Sequence, residues 1–295
     1  MIGARAKGMA LAVTGSVLWG ASGIAGQYLL QDWGVTAEWL SMVRMFGAGL
    51  LLLAVGGLQR GGDVFRIWRE GKTALGLILF GVIGMVGVQY TYFMAIALSN
   101  AAAATILQYT MPILVILWTA LTERRRPTGR EVAALILAVG GTVLLVTRGE
   151  WGTFAISPAA LIWGLLSAVG AAFYTIQPRT LIRRWYPPIV VGWGMILGGA
   201  SLTPLAAGMS LPAEADLAFC GALAFVVVFG TAISFCLYIA SVAFIEPSET
   251  SLLNSMEPLS SIFFSALLLG MTFGIAELIG AACIIGAVAV VTKAR

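Results

Sequence analysis

Long apolar stretches follow one another along the whole of this 295-residue chain, separated by short polar segments. A helix needs roughly 20 mainly apolar residues to cross a hydrocarbon core about 30 Å thick. Because 60% of the residues are hydrophobic and only 10% are charged, little sequence remains for a soluble domain. We therefore predict an all-α polytopic membrane protein with ten transmembrane helices. The predicted spans are residues 8–30, 37–58, 73–97, 100–121, 132–147, 155–177, 187–209, 217–244, 248–270 and 273–292.

The distribution of basic residues predicts the orientation of these spans. The first stretch follows Arg5 and Lys7, but it is too long for the apolar region of a secretory signal, so we interpret it as the first span. All 17 Lys and Arg residues except Arg44 and Arg148 fall in alternate segments, those that share a side with the N-terminus. Cytoplasmic loops carry an excess of Lys and Arg. Both termini are therefore predicted to be cytoplasmic.

The residue types argue against several classes of function. The chain has no histidine, which removes the commonest metal ligand and general base. Its three cysteines are widely spaced within apolar stretches, where they indicate packing and not a disulfide framework. No phosphate-binding loop is present. From these residue types we expect no cofactor, no metal site and no enzymatic activity. We also expect no nucleic-acid partner, because membrane topology explains the net charge of +4.

The two halves of the chain share a weak internal similarity. The matched pairs, each 146 residues apart, are Tyr92 and Tyr238, Leu107 and Leu253, Gln108 and Asn254, Pro112 and Pro258, Glu131 and Glu277, and Gly140 and Gly286. Trp19-Gly20 recurs 144 residues later as Trp163-Gly164. Since each repeat holds five spans, the second enters the membrane inverted, which is common in transporters. We predict repeats at 1–149 and 150–295; chance similarity between Leu-, Ala- and Gly-rich helices is the alternative.

Several short motifs carry a resemblance to a known family. They are Leu18-Trp19-Gly20, Arg44-Met45-Phe46, the run 108–112, Arg130-Glu131, the run 254–258 and Glu277. As a set they resemble the drug/metabolite transporter superfamily, specifically the bacterial ten-span proteins with two EamA domains. The resemblance implies an inner-membrane location and a central cavity walled by helices one to four and six to nine, with helices five and ten beside it. Members export amino acids, drugs and other metabolites, and one subgroup exports aromatic amino acids.

Polar and aromatic residues share helix faces within the predicted spans, which is unusual for surfaces that face lipid. Hydroxyl groups on such faces also hold membrane helices together, by about 0.6 kcal/mol each, and this is the alternative for many of them. The mixture of tryptophan, tyrosine and polar groups predicts a pocket for a large neutral amino acid. The predicted substrate-binding residues are Trp19, Ser22, Gln89, Tyr92, Gln108, Trp163, Ser167, Tyr174, Ser234, Tyr238, Asn254 and Glu257.

Two ionisable residues and two prolines lie deep within the predicted spans. Arg44 and Glu257 sit at depths that differ by only about 6 Å in a core of about 30 Å, so we expect them to meet. They form either a structural pair or a site for substrate or a coupling proton. Pro112 and Pro258 are either ordinary kinks or hinges between rocking halves. Glu131 and Glu277 stand at helix starts, where capping is the better interpretation.

Together these patterns favour a secondary carrier that exports a small-molecule substrate, most of all aromatic and other neutral amino acids, by alternating access across the lipid bilayer. A drug or other-metabolite exporter of the same superfamily is the alternative. An intramembrane enzyme is disfavoured because the chain has no histidine and one deep carboxylate. A channel is disfavoured because an inverted repeat favours rocking over a fixed pore.

Overall fold

The computed structural model describes residues 2–122, 124, 126, 128–150, 155–208, 215–241, 243–245, 250 and 253–292. Within these residues the secondary structure is helical, without strands. The helices are α1 (Ile2–Gln31), α2 (Ala37–Arg60), α3 (Asp63–Arg66), α4 (Gly71–Leu79), α5 (Val86–Leu98), α6 (Ala101–Gln108), α7 (Met111–Thr122), α8 (Gly129–Thr147), α9 (Pro158–Ile176), α10 (Arg179–Arg184), α11 (Pro187–Ala206), α12 (Leu217–Ala224), α13 (Ser234–Ser241), α14 (Met256–Leu269) and α15 (Ile275–Thr292).

The predicted all-helical, polytopic architecture is confirmed. Seven helical stretches in the described part are long and apolar enough to cross a bilayer. They are Gly3–Gln31, Ala37–Arg60, Gly71–Leu98, Ala101–Thr122, Pro158–Arg184, Pro187–Ala206 and Leu217–Ser241. Met256–Leu269 and Ile275–Ala287 are shorter apolar helices. The count of ten spans and the orientation stay predictions, and the starting residue of the ninth predicted span, Ser248, lies outside the described residues.

Helices from the two halves of the chain pack against each other in pairs. Within the described residues α2 packs on α11, α5 on α9, and α8 on α15, while α1 contacts α13 and α14, and α6 contacts α9 and α14. Glycines make these contacts close: a Cβ on Gly170 would meet the Gly87 carbonyl, and one on Gly141 would meet the Gly280 carbonyl. Small residues let membrane helices approach until their backbones touch. The interior is therefore built at the junction between the halves.

Two π-helical segments occur at matching places in the halves. Phe80–Met85 joins α4 to α5, and Phe225–Ile233 joins α12 to α13. In the second segment, the Thr231 hydroxyl donates to the Val226 carbonyl at 2.8 Å, five residues back. Such insertions re-aim backbone groups and occur frequently at functional sites. Here the segment presents a carbonyl and a hydroxyl to the neighbouring α2.

Pro112 and Pro258 do not kink continuous helices, as one of the two expectations held, because a turn precedes each of them. The fourth span is interrupted by a turn at residues 109–110, and Pro112 is the second residue of α7. The ninth is interrupted at residues 254–255, and Pro258 is the third residue of α14. Proline is well tolerated in a first helical turn, because the amide hydrogen it lacks has no helical partner there. Each proline thus lies in the first turn of the second piece of its broken helix.

The two carboxylates predicted to cap helices do so. Thr128 and Glu131 form a capping box at the start of α8. Glu277 accepts a hydrogen bond from the Gly274 backbone N–H at 2.7 Å in the first turn of α15. Glu277 also pairs with Arg148 at 2.9 Å, so the end of α8 is tied to the start of α15.

Candidate substrate site

Arg44 is held in the interior between α2 and the second π-helical segment. Only 7% of the residue is exposed. Its Nε donates to Thr231 Oγ1 at 2.6 Å, and its Nη2 donates to the Gly230 carbonyl at 3.3 Å. The guanidinium also lies over the Phe93 ring, 5.2 Å from its centroid. A residue of the first half is therefore anchored on the second half.

Glu257 lies in the first turn of α14 and is half-buried. Asn254 Nδ2 approaches Glu257 Oε2 at 3.4 Å, and the Ser16 hydroxyl donates to Asn254 Oδ1 at 3.0 Å. A Cβ on Gly20 would collide with the Glu257 carbonyl, so α1 runs directly against this turn. The carboxylate consequently sits at the contact between the first and second halves.

Arg44 and Glu257 interact electrostatically, but no direct ion pair joins them in the part of the chain that the structure describes. Three tyrosines, Tyr92, Tyr109 and Tyr238, are also within electrostatic range of the carboxylate. An unpaired charge at mid-membrane costs on the order of 3 kcal/mol. Keeping Arg44 and Glu257 inside the membrane without a direct ion pair therefore costs free energy.

Aromatic side chains from both halves meet in pairs, one of which includes Tyr238, within electrostatic range of Glu257. The ring centroids of Trp19 and Tyr238 are 5.1 Å apart. Those of Tyr90 and Trp163 are 5.6 Å apart, as are those of Phe80 and Tyr174. Trp19, Trp163, Tyr174 and Tyr238 are all half-buried. These rings therefore offer accessible apolar surface within a bundle of helices from both halves.

Several predicted binding residues make hydrogen bonds to other groups of the protein. Gln108 Nε2 donates to Ser167 Oγ at 2.5 Å, and the hydroxyls of Tyr92 and Thr105 lie 2.8 Å apart. Ser234 Oγ donates to the Phe229 carbonyl at 2.5 Å within its own helix. In each case the described contacts already occupy the polar group.

Two further predicted residues lie apart from these hydrogen bonds. The Ser22 hydroxyl is buried without a hydrogen-bond partner among the described residues and lies where a Cβ on Gly230 would sit. Gln89 is half-buried on α5.

Sequence reasoning did not select Tyr90, which follows Gln89, nor Glu38. The Tyr90 hydroxyl donates to Glu38 Oε1 at 2.9 Å, and no spacing in the sequence points to that contact.

Taken together, the fold and this region define a polytopic membrane protein whose candidate site combines aromatic surface and both signs of charge. Within the described residues no three His, Cys, Asp or Glu side chains come together to offer a metal site. The profile of the EamA-like transporter family matches residues 6–147 and again residues 158–293. The chain belongs to this family, and hence to the transporters that carry small molecules across membranes.

Individual relatives agree with the family. The chain is 37% identical to the uncharacterized inner membrane transporter YicL of Salmonella typhimurium over 99% of its own length and 97% of that protein. It is 28% identical to the aromatic amino acid exporter YddG of Ancylobacter novellus, over 42% of this chain and 43% of that protein. One crystal structure superposes with a TM-score of 0.67 at 21% identity, covering 98% of both chains. The last similarity concerns the fold alone.

Proposed function

We propose that this protein is a secondary transporter of the inner membrane that exports neutral amino acids, including aromatic ones, by alternating access. The observation that carries the proposal is the set of half-buried rings of Trp19, Trp163, Tyr174 and Tyr238 in a bundle that also buries Arg44, with Tyr238 within electrostatic range of Glu257. Buried aromatic surface with a few convergent polar groups is typical of small-molecule sites. The partial similarity to an aromatic amino acid exporter gives independent support.

The packing between halves supports the alternating-access mechanism. Exchanging the halves turns the contact of α5 with α9 into that of α13 with α1, and the contact of α7 with α9 into that of α14 with α1. A site at such a junction faces opposite sides of the membrane when one half rocks against the other. The helix breaks before Pro112 and Pro258 provide matching positions for that motion. We propose them as its hinges.

The proposed topology places both termini in the cytoplasm, with the two repeats divided near residue 149. Single cysteines introduced near residues 5 and 292, in a background without the three native cysteines, test this with membrane-impermeant thiol reagents in intact cells. Both should be protected until the membrane is opened. Labelling of either one from outside would contradict the proposed topology.

Transport is tested with purified protein in liposomes. Radiolabelled phenylalanine and leucine should accumulate by exchange against the same unlabelled amino acid loaded inside, and an imposed pH gradient should show whether protons are coupled. Trp19→Ala and Trp163→Ala should each reduce uptake about tenfold or more, because a lost aromatic contact with substrate costs about 1.4 kcal/mol or more. Trp118→Ala is the matched control, since Trp118 is 55% exposed on the outside of the bundle. If no neutral amino acid moves or competes, the amino-acid assignment is wrong.

A drug exporter is the second candidate, favoured by the carboxylate of Glu257, which suits a cationic drug. The buried guanidinium of Arg44 disfavours it, because a second positive charge would be brought beside the first. Resistance of cells to cationic dyes, measured with and without Glu257→Gln, distinguishes the two candidates. Resistance that depends on Glu257 in the absence of amino-acid transport would favour the drug exporter.

A further inference from the structure

The charges of Arg44 and Glu257 are left incompletely satisfied by the protein. A guanidinium has five N–H groups. In the described residues, one N–H on Nε contacts Thr231 and one on Nη2 contacts Gly230, which leaves three without a protein acceptor. Arg44 is nonetheless buried, with 7% of its surface exposed. These three N–H groups therefore belong to a largely buried residue and have no acceptor among the described residues.

Glu257 shows the complementary deficit. One carboxylate oxygen, Oε2, has a long contact of 3.4 Å to Asn254, and Oε1 has no donor among the described residues. An ionised carboxylate accepts up to about four hydrogen bonds. Glu257 is half-buried, so the protein does not cover its whole surface.

The separation between these two residues is as informative as their charges. The side chains interact electrostatically without forming an ion pair, although both are long enough to adopt many rotamers. Arg44 is instead fixed by Thr231 and Phe93, and the Glu257 turn is fixed by the contact with Gly20. Because each group is anchored elsewhere, the gap between the opposite charges is built into the packing.

We propose that this gap is the binding site for the backbone of a zwitterionic α-amino acid, with the carboxylate on the free N–H groups of Arg44 and the ammonium on Glu257. This inference rests on the proposed function and extends it by assigning one residue to each end of the substrate. In an α-amino acid a single carbon carries both groups, so one substrate molecule can contact two residues that do not contact each other. The Trp19 and Tyr238 rings beside Glu257 then receive the side chain.

Substrate analogues that lack one charged group test the assignment directly. Phenylalanine, phenylalaninamide, which lacks the carboxylate, and 3-phenylpropanoate, which lacks the ammonium, would compete against labelled phenylalanine in liposomes. Wild-type protein should prefer phenylalanine to either analogue by about tenfold or more, since one hydrogen bond to a charged group contributes at least that factor. Arg44→Gln should abolish the preference over phenylalaninamide alone. Glu257→Gln should abolish the preference over 3-phenylpropanoate alone.

Additional variants keep the test informative if Arg44→Gln fails to fold. Arg44→Lys keeps a positive charge but loses the planar fork, and Thr231→Val removes the anchor at 2.6 Å while keeping the guanidinium. Each should reduce the preference over phenylalaninamide by a smaller factor and leave the preference over 3-phenylpropanoate intact. Thermal unfolding of each purified variant shows which are folded.

The possible outcomes separate the inference from the proposed function. Suppose that phenylalanine is transported, but Arg44→Gln keeps the preference over phenylalaninamide and Glu257→Gln keeps the preference over 3-phenylpropanoate. The assignment of Arg44 and Glu257 is then overturned, while the amino-acid transporter stands. If the wild type accepts all three compounds equally, the assignment is overturned as well. If none of the three compounds competes and no neutral amino acid moves, both the inference and the proposed function fail. Reciprocal loss of the two preferences supports both.

Discussion

The two halves of the chain agree in their scaffold and differ in their charges. Both contain a π-helical segment and a broken helix whose second piece has a proline in its first turn. Yet the position 146 residues before Glu257 is Met111, and the position 146 residues after Arg44 is the buried Val190. The shared features depend on helix packing in lipid, which both halves must satisfy. The charges serve no packing requirement that is common to both, which is why we assign them to the substrate.

Matched tyrosines show the same difference on a smaller scale. Tyr92 is buried, and its hydroxyl lies 2.8 Å from that of Thr105. Tyr238, its counterpart, is half-buried against the Trp19 ring. One tyrosine is buried in a hydrogen bond and the other is accessible, so the two matched positions have different surroundings. Equivalent substitutions in the two halves should therefore have unequal effects.

The largest effect is expected for Glu257→Met, which gives position 257 the residue found at the matching position of the first half, Met111. Removing the carboxylate leaves Arg44 buried without a counter-charge, which should lower the free energy of unfolding by about 3 kcal/mol. Uptake should fall by about 100-fold, equivalent to roughly 2.7 kcal/mol at the transport barrier. Liposome uptake and denaturant unfolding measure the two effects. Wild-type uptake by this variant would remove Glu257 from the site.

The double variant Arg44→Val with Glu257→Met sharpens this test. Since neither charge remains, its loss of unfolding free energy should be about 1 to 3 kcal/mol smaller than the sum of the losses in the two single variants. Uptake should stay absent, because both substrate contacts are gone. Full additivity of the two losses would show that the residues are not coupled.

The next largest effect concerns the glycines 144 residues apart, Gly20 and Gly164. A Cβ on Gly20 would meet backbone atoms of Glu257 and Ser261, whereas the nearest atoms to one on Gly164 all belong to the Leu107 side chain. Gly20→Ala should therefore cost about 2 kcal/mol and Gly164→Ala less than about 1 kcal/mol in unfolding free energy. Gly140→Ala is the control, since no atom lies within 4 Å of its added Cβ. Equal losses at Gly20 and Gly164 would contradict this difference.

The tyrosine pair should separate stability from transport. Tyr92→Phe loses a buried hydrogen bond and should lower unfolding free energy by about 1 kcal/mol, with the KM for phenylalanine unchanged. Tyr238→Phe should change stability by less than about 0.5 kcal/mol and alter the KM, because the hydroxyl it loses lies within electrostatic range of Glu257 in the proposed site. Uptake kinetics and thermal unfolding on both variants test this. The prediction fails if the two substitutions affect KM alike.

The smallest effect is expected at the amide pair Gln108 and Asn254. A double-mutant cycle of Gln108→Ala with Ser167→Ala should give a coupling near 0.6 kcal/mol, the average for such contacts between membrane helices. Asn254→Ala with Ser16→Ala should give a similar coupling. Only Asn254→Ala should also weaken uptake, because Asn254 contacts Glu257 as well. A transport defect in Gln108→Ala of equal size would place Gln108 in the site.

Much of this molecule follows from local sequence. Continuous apolar stretches determine membrane helices because a bilayer leaves no other way to satisfy the backbone. The capping roles of Glu131 and Glu277 could likewise be predicted, since they depend on residues a few positions away. The depth of Arg44 and Glu257 could be derived from their distance to the helix ends. All of these properties are set within one helix.

Contacts between helices required the tertiary structure. The sequence placed Tyr92, Gln108, Ser167 and Ser234 on polar faces but could not show that their hydrogen bonds are made inside the bundle. It also gave no indication that Tyr90 binds Glu38 or that Arg44 is anchored on Thr231 instead of reaching Glu257. Rotation and separation of packed helices decide such contacts, and these depend on glycines in both partners. The sequence alone thus determined a helical membrane protein with two deep charges, and only the packing decided that those charges stand apart.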